Sequence, residues 1–164
     1  MKKLLCTLLA LSMLLGLAAC GGPAPAEGPS ADPAPAVSTP AQPEDGSASF
    51  TDSVGRTVEV PAEITSVAVS GPLAQMVLFA LCPDKLVGIA DEWDASAEQY
   101  LATEYYNLPL LGQLYGGKGE LNLETLLGSG AQVVIDVGEP KDTIVEDLDA
   151  LQEQTGIPFV HVSA

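Results

Sequence analysis

Positive charge is scarce in this 164-residue chain: six Lys and Arg stand against 22 Asp and Glu, a formal net charge of −16. Two of the six are Lys2 and Lys3, so only four bases remain beyond residue 19. Binding a polyanion needs clustered Lys and Arg to displace counterions, and a nucleic-acid-binding role is excluded. Histidine is scarcer still. His161 is the only one, so a metal centre built from several imidazoles is excluded, and its Phe159-Val160-His161-Val162 setting reads as a core or strand-end position. The leading apolar run, Leu4 to Leu17, falls short of the roughly 20 residues needed to span a bilayer as a helix. Between residues 21 and 49 there is no aromatic residue, one large aliphatic (Val37) and seven of the 13 prolines, too little apolar surface to order that stretch.

These absences divide the chain into 1–19, 20–49 and 50–164. The first segment carries Met1-Lys2-Lys3, the apolar run and then Leu17-Ala18-Ala19-Cys20. That order resembles a bacterial lipoprotein signal with its lipobox. The resemblance implies a lipid-carrying Cys20 as mature N-terminus, held at the extracytoplasmic face of the cell membrane by its acyl chains. Residues 21–49 then form a Pro/Ala tether, reaching about 90 Å if fully polyproline II. Cys6 leaves with the leader, so Cys82 is the single thiol of the folded part and no internal disulfide is expected. Its place before Pro83, at the end of a helical pattern, reads as a buried small hydrophobe.

Residues 50–164 suffice for one core. Phe50–Asp52 and Thr57–Val60 flank Ser53-Val54-Gly55-Arg56 and predict a short hairpin. Val67–Ser70 predicts a strand. Ser70 and Pro72 then open a helix with Leu73, Met76, Val77, Ala80 and Leu81 on its apolar face. Leu86–Ala90 and Leu108–Leu111 predict strands around a helix over 96–105, and Asn122 caps a helix to Leu127. Val133–Val137 is a buried strand. Thr143 and Glu146 suggest a capping box for a helix bearing Ile144, Leu148 and Leu151, which Gly156 closes before a last strand over 159–162. The alternation specifies an α/β fold, a three-layer and mostly parallel sheet preceded by a short β-hairpin. Ligands of such sheets bind beyond the C-terminal strand ends, here Ser70–Leu73, Asp91–Asp94, Gly112–Gly119 and Gly138–Asp142.

The run Asp52-x-x-Gly55-Arg56-x-Val58-x-Val60-Pro61, the helix ending Phe79-Ala80-Leu81, Leu86-Val87-Gly88-Ile89, Asn122-Leu123-Glu124-x-Leu126-Leu127 and Val133-Val134-Ile135 occur in that order. Together they resemble the N-terminal lobe of the substrate-binding lipoproteins of ABC importers for ferric siderophores, cobalamin and haem. Ala131-Gln132 departs from that family's usual Pro-Asp. The family also continues with a long helix and a second α/β lobe, which this chain is expected to lack. The resemblance implies capture of an iron complex, or of a corrinoid or haem, between two lobes, with delivery to a permease and its ATPase. It implies no intrinsic cofactor and no catalysis.

Several residues merit weighing on that reading. Trp93 and Tyr115 fall in strand-end loops and either stack on a flat ligand or pack the loops; Tyr100, Tyr105 and Tyr106 read as packing. Lys118 and Lys141, with Glu139, Ser70 and Gly71, lie in the expected cleft loops, where the lysines either attract an anionic complex or are solvated. Glu124 matches the family's permease-docking position, and also suits the first turn of a helix. Asp91, Glu92, Asp94 and Glu98 form an acidic group able to take a hard cation or simply to be solvated. Gly112-x-x-x-x-Gly117-Lys118 approaches a phosphate-binding loop, but Gly119 stands where Ser or Thr is needed, which disfavours a nucleotide-using enzyme. A stand-alone surface lipoprotein with an interaction role is the remaining alternative.

Overall fold

The computed structural model describes residues 46–116 and 120–164. The lipidation position Cys20 and the cleft lysine Lys118 lie outside them. The first element is an antiparallel hairpin, β1 (Ser47–Thr51) and β2 (Thr57–Pro61). It opens at Ser47 and not at Phe50, because pairing with β2 continues through Ser49 with Glu59 to Ser47 with Pro61. Its turn is built by Asp52. One carboxylate oxygen accepts from the Val54 and Arg56 amides at 3.1 and 2.9 Å, while Gly55 supplies the left-handed residue at φ 82°.

The central sheet is parallel, with β3 (Val67–Val69), β4 (Val133–Gly138) and β5 (Phe159–Ser163) side by side in the order β3, β4, β5. The strands expected over 86–90 and 108–111 reduce to single parallel bridges, Val67 with Leu86 and Ile89 with Leu110, which extend the sheet beyond β3. In place of a longer ladder, the buried Gln75 amide accepts from the Ala90 and Asp91 amides at 2.8 and 3.0 Å and donates to the Asp91 carbonyl.

Alternation along the strands divides the core into two layers. Val67, Val69, Val133 and Val160 meet Ala74 and Leu78 of α1 (Pro72–Leu81). Ala68, Val134 and Phe159 face the other way, toward Leu126 of α3 (Leu123–Gly128) and Ile144 and Leu148 of α4 (Ile144–Thr155). Helices cover both faces, the expected three layers.

α1 is rotated from the expected register. Ala74, Gln75 and Leu78 are its buried residues, while Leu73, Met76 and Leu81 are 41, 61 and 75% exposed. The helix carries no charged residue, so its sequence gives no polar face from which to orient it. Ser70 does not cap α1; Gly71 stands at that position without a side-chain bond. The helix expected over 96–105 breaks into a 3₁₀ turn (Ala95–Gln99) and a single helical turn, α2 (Thr103–Tyr106). Neither piece buries a side chain fully, which leaves little to offset helix nucleation. Asn122 caps α3 on the Thr125 amide at 2.9 Å, as expected. The Thr143 capping box does not form, because its hydroxyl donates to the Asp147 carboxylate at 2.8 Å. Gly156 closes α4 at φ 70°. Gln132, the departure from the family pattern, accepts from the Thr65 and Ser66 amides at 2.7 and 3.1 Å and ties the entry of β3 to that of β4.

The outer edge of β5 is covered by the hairpin turn. Ser53 donates its amide to the His161 carbonyl at 3.0 Å, and the Arg56 guanidinium donates to the Phe159 carbonyl at 2.8 Å. An otherwise open sheet edge is thereby removed.

Candidate functional site

At the C-terminal ends of β3 and β4 the chain turns away on both sides and leaves a concavity of about 190 Å³. Ser70, Gly71, Tyr115, Glu139 and Lys141 all line it, so five of the seven ligand-contact expectations meet in one place. Asp136 lies in its floor and was not foreseen.

The floor is a side-chain rung laid across three strands. Val69 pairs with Ile135, and Asp136 with His161, so Ser70, Asp136 and His161 occupy successive places in one row. The Ser70 hydroxyl donates to one Asp136 oxygen, and the other oxygen lies 2.7 Å from His161 Nδ1. His161 is fully buried and Ser70 nearly so. The carboxylate stands between hydroxyl and imidazole, so the imidazole cannot act as base for the serine. This is a structural clasp and not a nucleophile pair.

Tyr115 forms one wall. Its hydroxyl donates to the Asp147 carboxylate at 2.5 Å, and Asp147 also accepts from Thr143. Burial, then the adjacent carboxylate, pushes the Tyr115 phenol up, so it remains a donor at all moderate pH. The two hydroxyls, Tyr115 first, hold the Asp147 carboxyl below its ordinary value. A backbone bond from the Leu114 amide to the Ser70 carbonyl at 2.7 Å secures the Tyr115 loop against β3.

Tyr115→Phe should therefore cost at most about 1 kcal/mol, since Asp147 is largely solvated. A carboxyl lowered in the folded state stabilises above the unfolded pKa, near 4, and loses that contribution as pH falls through the lowered value. The wild-type advantage over Tyr115→Phe should be full at pH 6 and shrink steadily as the pH is lowered below about 4, read from urea midpoints along that series. An advantage independent of pH would show that the bond to Asp147 is not its source.

Lys141 is exposed on the rim and, among the described Lys and Arg residues, is the one whose side chain has no ion pair or hydrogen bond. Arg56 is committed to Asp52 and Asp149, and the Lys85 ammonium to the Ile64 carbonyl at 2.8 Å. Glu139 is exposed beside Lys141.

Trp93 is separated from this group. Its indole N–H donates to the Tyr105 carbonyl at 3.0 Å, and its ring meets Phe79 edge-on at 5.2 Å. It lines a different groove with Tyr106. Glu124 is exposed in the first turn of α3. Asp94 caps the 3₁₀ turn, its carboxyl lowered by the Ser96 hydroxyl and then by the Ser96 amide. Among the described residues no group of His, Cys, Asp and Glu is arranged to hold a metal ion. Cys82 is half-buried against the α1 core layer, and no helix of the described residues is long and apolar enough to cross a membrane.

No protein-family model matches the chain, and no curated protein matches it. Among solved structures it is similar to an ABC transporter solute-binding protein from Sulfurospirillum deleyianum, with 23% identity and a TM-score of 0.59 over 70% of this chain and 36% of that one. A periplasmic solute-binding protein from Veillonella parvula gives 22% identity and 0.56 over 72% and 36%. The molybdate-binding protein of a Haemophilus influenzae ABC transporter gives 24% and 0.51 over 71% and 34%. The fold is that of one lobe of a periplasmic solute-binding protein. At these identities the likeness is one of fold, and the chain spans about a third of the length of the structures it matches. In the lobe, the Ser70–Lys141 concavity lies where open parallel sheets hold ligands.

Proposed function

We propose that the chain supplies the ligand-capturing lobe of an extracytoplasmic solute-binding protein, anchored through lipid on Cys20, that delivers an iron complex to an ABC permease and its ATPase. A ferric siderophore is the favoured ligand, and a corrinoid or haem the alternative. The observation that carries this reading is the Tyr115–Lys141 concavity: a solvent-open recess at the strand ends, with Lys141 and Glu139 exposed on its rim and an acid in its floor already satisfied by internal donors. Its roughly 190 Å³ lies below the usual 300–1,000 Å³ of a small-molecule site, so this lobe would hold a macrocycle or siderophore weakly and a facing surface would complete the grip. The exposed Leu73, Met76 and Leu81 give the lobe apolar surface for such a second part to cover. Glu124, exposed on α3, is the docking residue toward the permease. The lobe binds and hands over and does no covalent chemistry.

The test is calorimetric titration of the full chain with a ferric tris-catecholate, at low and at high salt. Affinity should fall with salt and fall about tenfold further in Lys141→Ala, the loss expected of one partly desolvated ion pair. Affinity indifferent to both changes removes the anionic complex from consideration. Saturable binding of neutral cyanocobalamin in that case points to the corrinoid.

A further inference from the structure

A second cavity, of about 400 Å³, lies at the edge of the sheet beyond the bridge between Ile89 and Leu110. It shares no residue with the Tyr115–Lys141 concavity. Leu108 and Leu110 give it an apolar floor, Trp93 and Tyr106 give it aromatic walls, and Glu92 and Asn107 stand at its polar side.

Its one charged lining residue is Glu92, while the Tyr106 phenol can donate or accept. The indole N–H of Trp93 is spent on the Tyr105 carbonyl, so that ring offers only its π surface and edge carbons. The Asn107 amide nitrogen spends one N–H on the Thr103 carbonyl at 2.9 Å, leaving the other N–H and the oxygen open. The Glu92 carboxylate has no partner among the described residues, and it accepts only. Contact with Phe79 on one side, itself edge-on to Tyr105 at 5.7 Å, holds the indole in place before any ligand arrives.

The sequence flanking Glu92 is acidic as well, although only Glu92 of these acids lines the cavity. Asp91, Glu92, Asp94, Glu98 and Glu104 fall between residues 91 and 104, and no Lys or Arg occurs between Lys85 and Lys118. The Lys85 ammonium is turned to Ile64. Aromatic faces, a free carboxylate and an apolar floor together favour one class of guest.

We infer that this groove binds a small organic cation, an ammonium or guanidinium carried on an apolar stem, with the charge beside Glu92 and the stem between Trp93 and Tyr106. The site is independent of the iron-complex reading, whose anionic ligand it would repel.

Trp93 is the only tryptophan in the chain, so its emission reports directly on the groove. Phenethylammonium, 2-phenylethanol and phenylacetate have nearly one shape and three charges. Titrated into the full chain at pH 7 and low salt, the ammonium should produce a saturable emission change, the alcohol one at least about tenfold weaker, and phenylacetate none. Glu92→Gln, at an exposed position that leaves the fold intact, should weaken the ammonium about fivefold or more, and Lys141→Ala should leave it unchanged. Equal response to the three probes, preference for phenylacetate, indifference to Glu92→Gln, or absence of saturation by both emission and calorimetry each overturns the proposal.

Discussion

Replacing Arg56 by alanine should lower the unfolding free energy by about 3–5 kcal/mol, the usual penalty for removing one partner of a buried ion pair. Arg56 is 9% exposed and holds three things at once: the fully buried Asp52 side chain at 3.1 Å, the Phe159 carbonyl at 2.8 Å and Asp149 at 2.7 Å. The first decides the magnitude. Without the guanidinium, Asp52 keeps its turn amides but loses the one cation paired with it among the described residues. The Asp149 arm contributes little, because that carboxylate is 61% exposed and its pairing competes with water. Asp149→Ala should accordingly cost under about 1 kcal/mol, and Arg56→Lys should fall between, since an ammonium cannot reach all three acceptors in the guanidinium geometry. Against a typical domain stability of about 5–15 kcal/mol, Arg56→Ala is a severe lesion. Urea unfolding at pH 7, followed by far-ultraviolet dichroism and Trp93 emission, gives the number. A loss below about 1 kcal/mol would mean that the hairpin is not held to β5 by this pair.

The same residues show what could be read in advance. The hairpin is legible from Phe50–Asp52 and Thr57–Val60 flanking Ser53-Val54-Gly55-Arg56, while the part Asp52 plays as acceptor for the turn amides is seen only in the structure. That Arg56 then reaches 93 positions along the chain to Asp149 has no local signature. Strands whose residues are buried on both faces, such as Val133–Gly138, were legible from their composition. The strands at 86–90 and 108–111 look the same in sequence but pair only through single bridges, and the Gln75 side chain takes up the backbone groups of Ala90 and Asp91 where the first of them ends. The face of α1 is not legible for lack of contrast, since a helix of apolar residues and one Gln marks no solvent side. Loop positions at strand ends located the concavity, as topology requires. Trp93 was expected there too, but a helical turn and an indole hydrogen bond draw it to the sheet's edge. Asp136 was visible as one acid in the run Val133-Val134-Ile135-Asp136-Val137. The clue was its company: a carboxylate in such a run must find donors on neighbouring strands, and the serine and histidine that supply them lie 66 and 25 residues away.

Asp136→Ala should be the second severe change, at about 3 kcal/mol, because it strands the Ser70 hydroxyl and the His161 ring together, each costing about 1–3 kcal/mol when buried without a partner. The rung they form lies where the sheet ladder ends. Ser70 donates its amide to Ile135 at 3.3 Å, and beyond that point β3 turns into Gly71 and α1 while β4 and β5 run on. The carboxylate thus fastens three strand ends beneath the concavity, and through the Ser70 carbonyl it also fixes the Leu114–Tyr115 loop. Asp136→Asn should cost only about 1 kcal/mol, since the amide oxygen can accept from the imidazole while the serine hydroxyl switches to accepting from the amide nitrogen. The pair of variants separates charge from connectivity. If the floor serves mainly to hold the strand ends, Asn should keep both fold and binding of the ferric tris-catecholate, whereas Ala should lose stability and binding together. If instead the negative charge is what matters at the floor, Asn should be as damaging as Ala in urea unfolding, and the clasp reading would be wrong. The clasp also bears on the proposed anionic ligand: with both oxygens engaged by Ser70 and His161, Asp136 turns no unengaged oxygen to the cleft, and Lys141 and Glu139 place opposite charges on its rim.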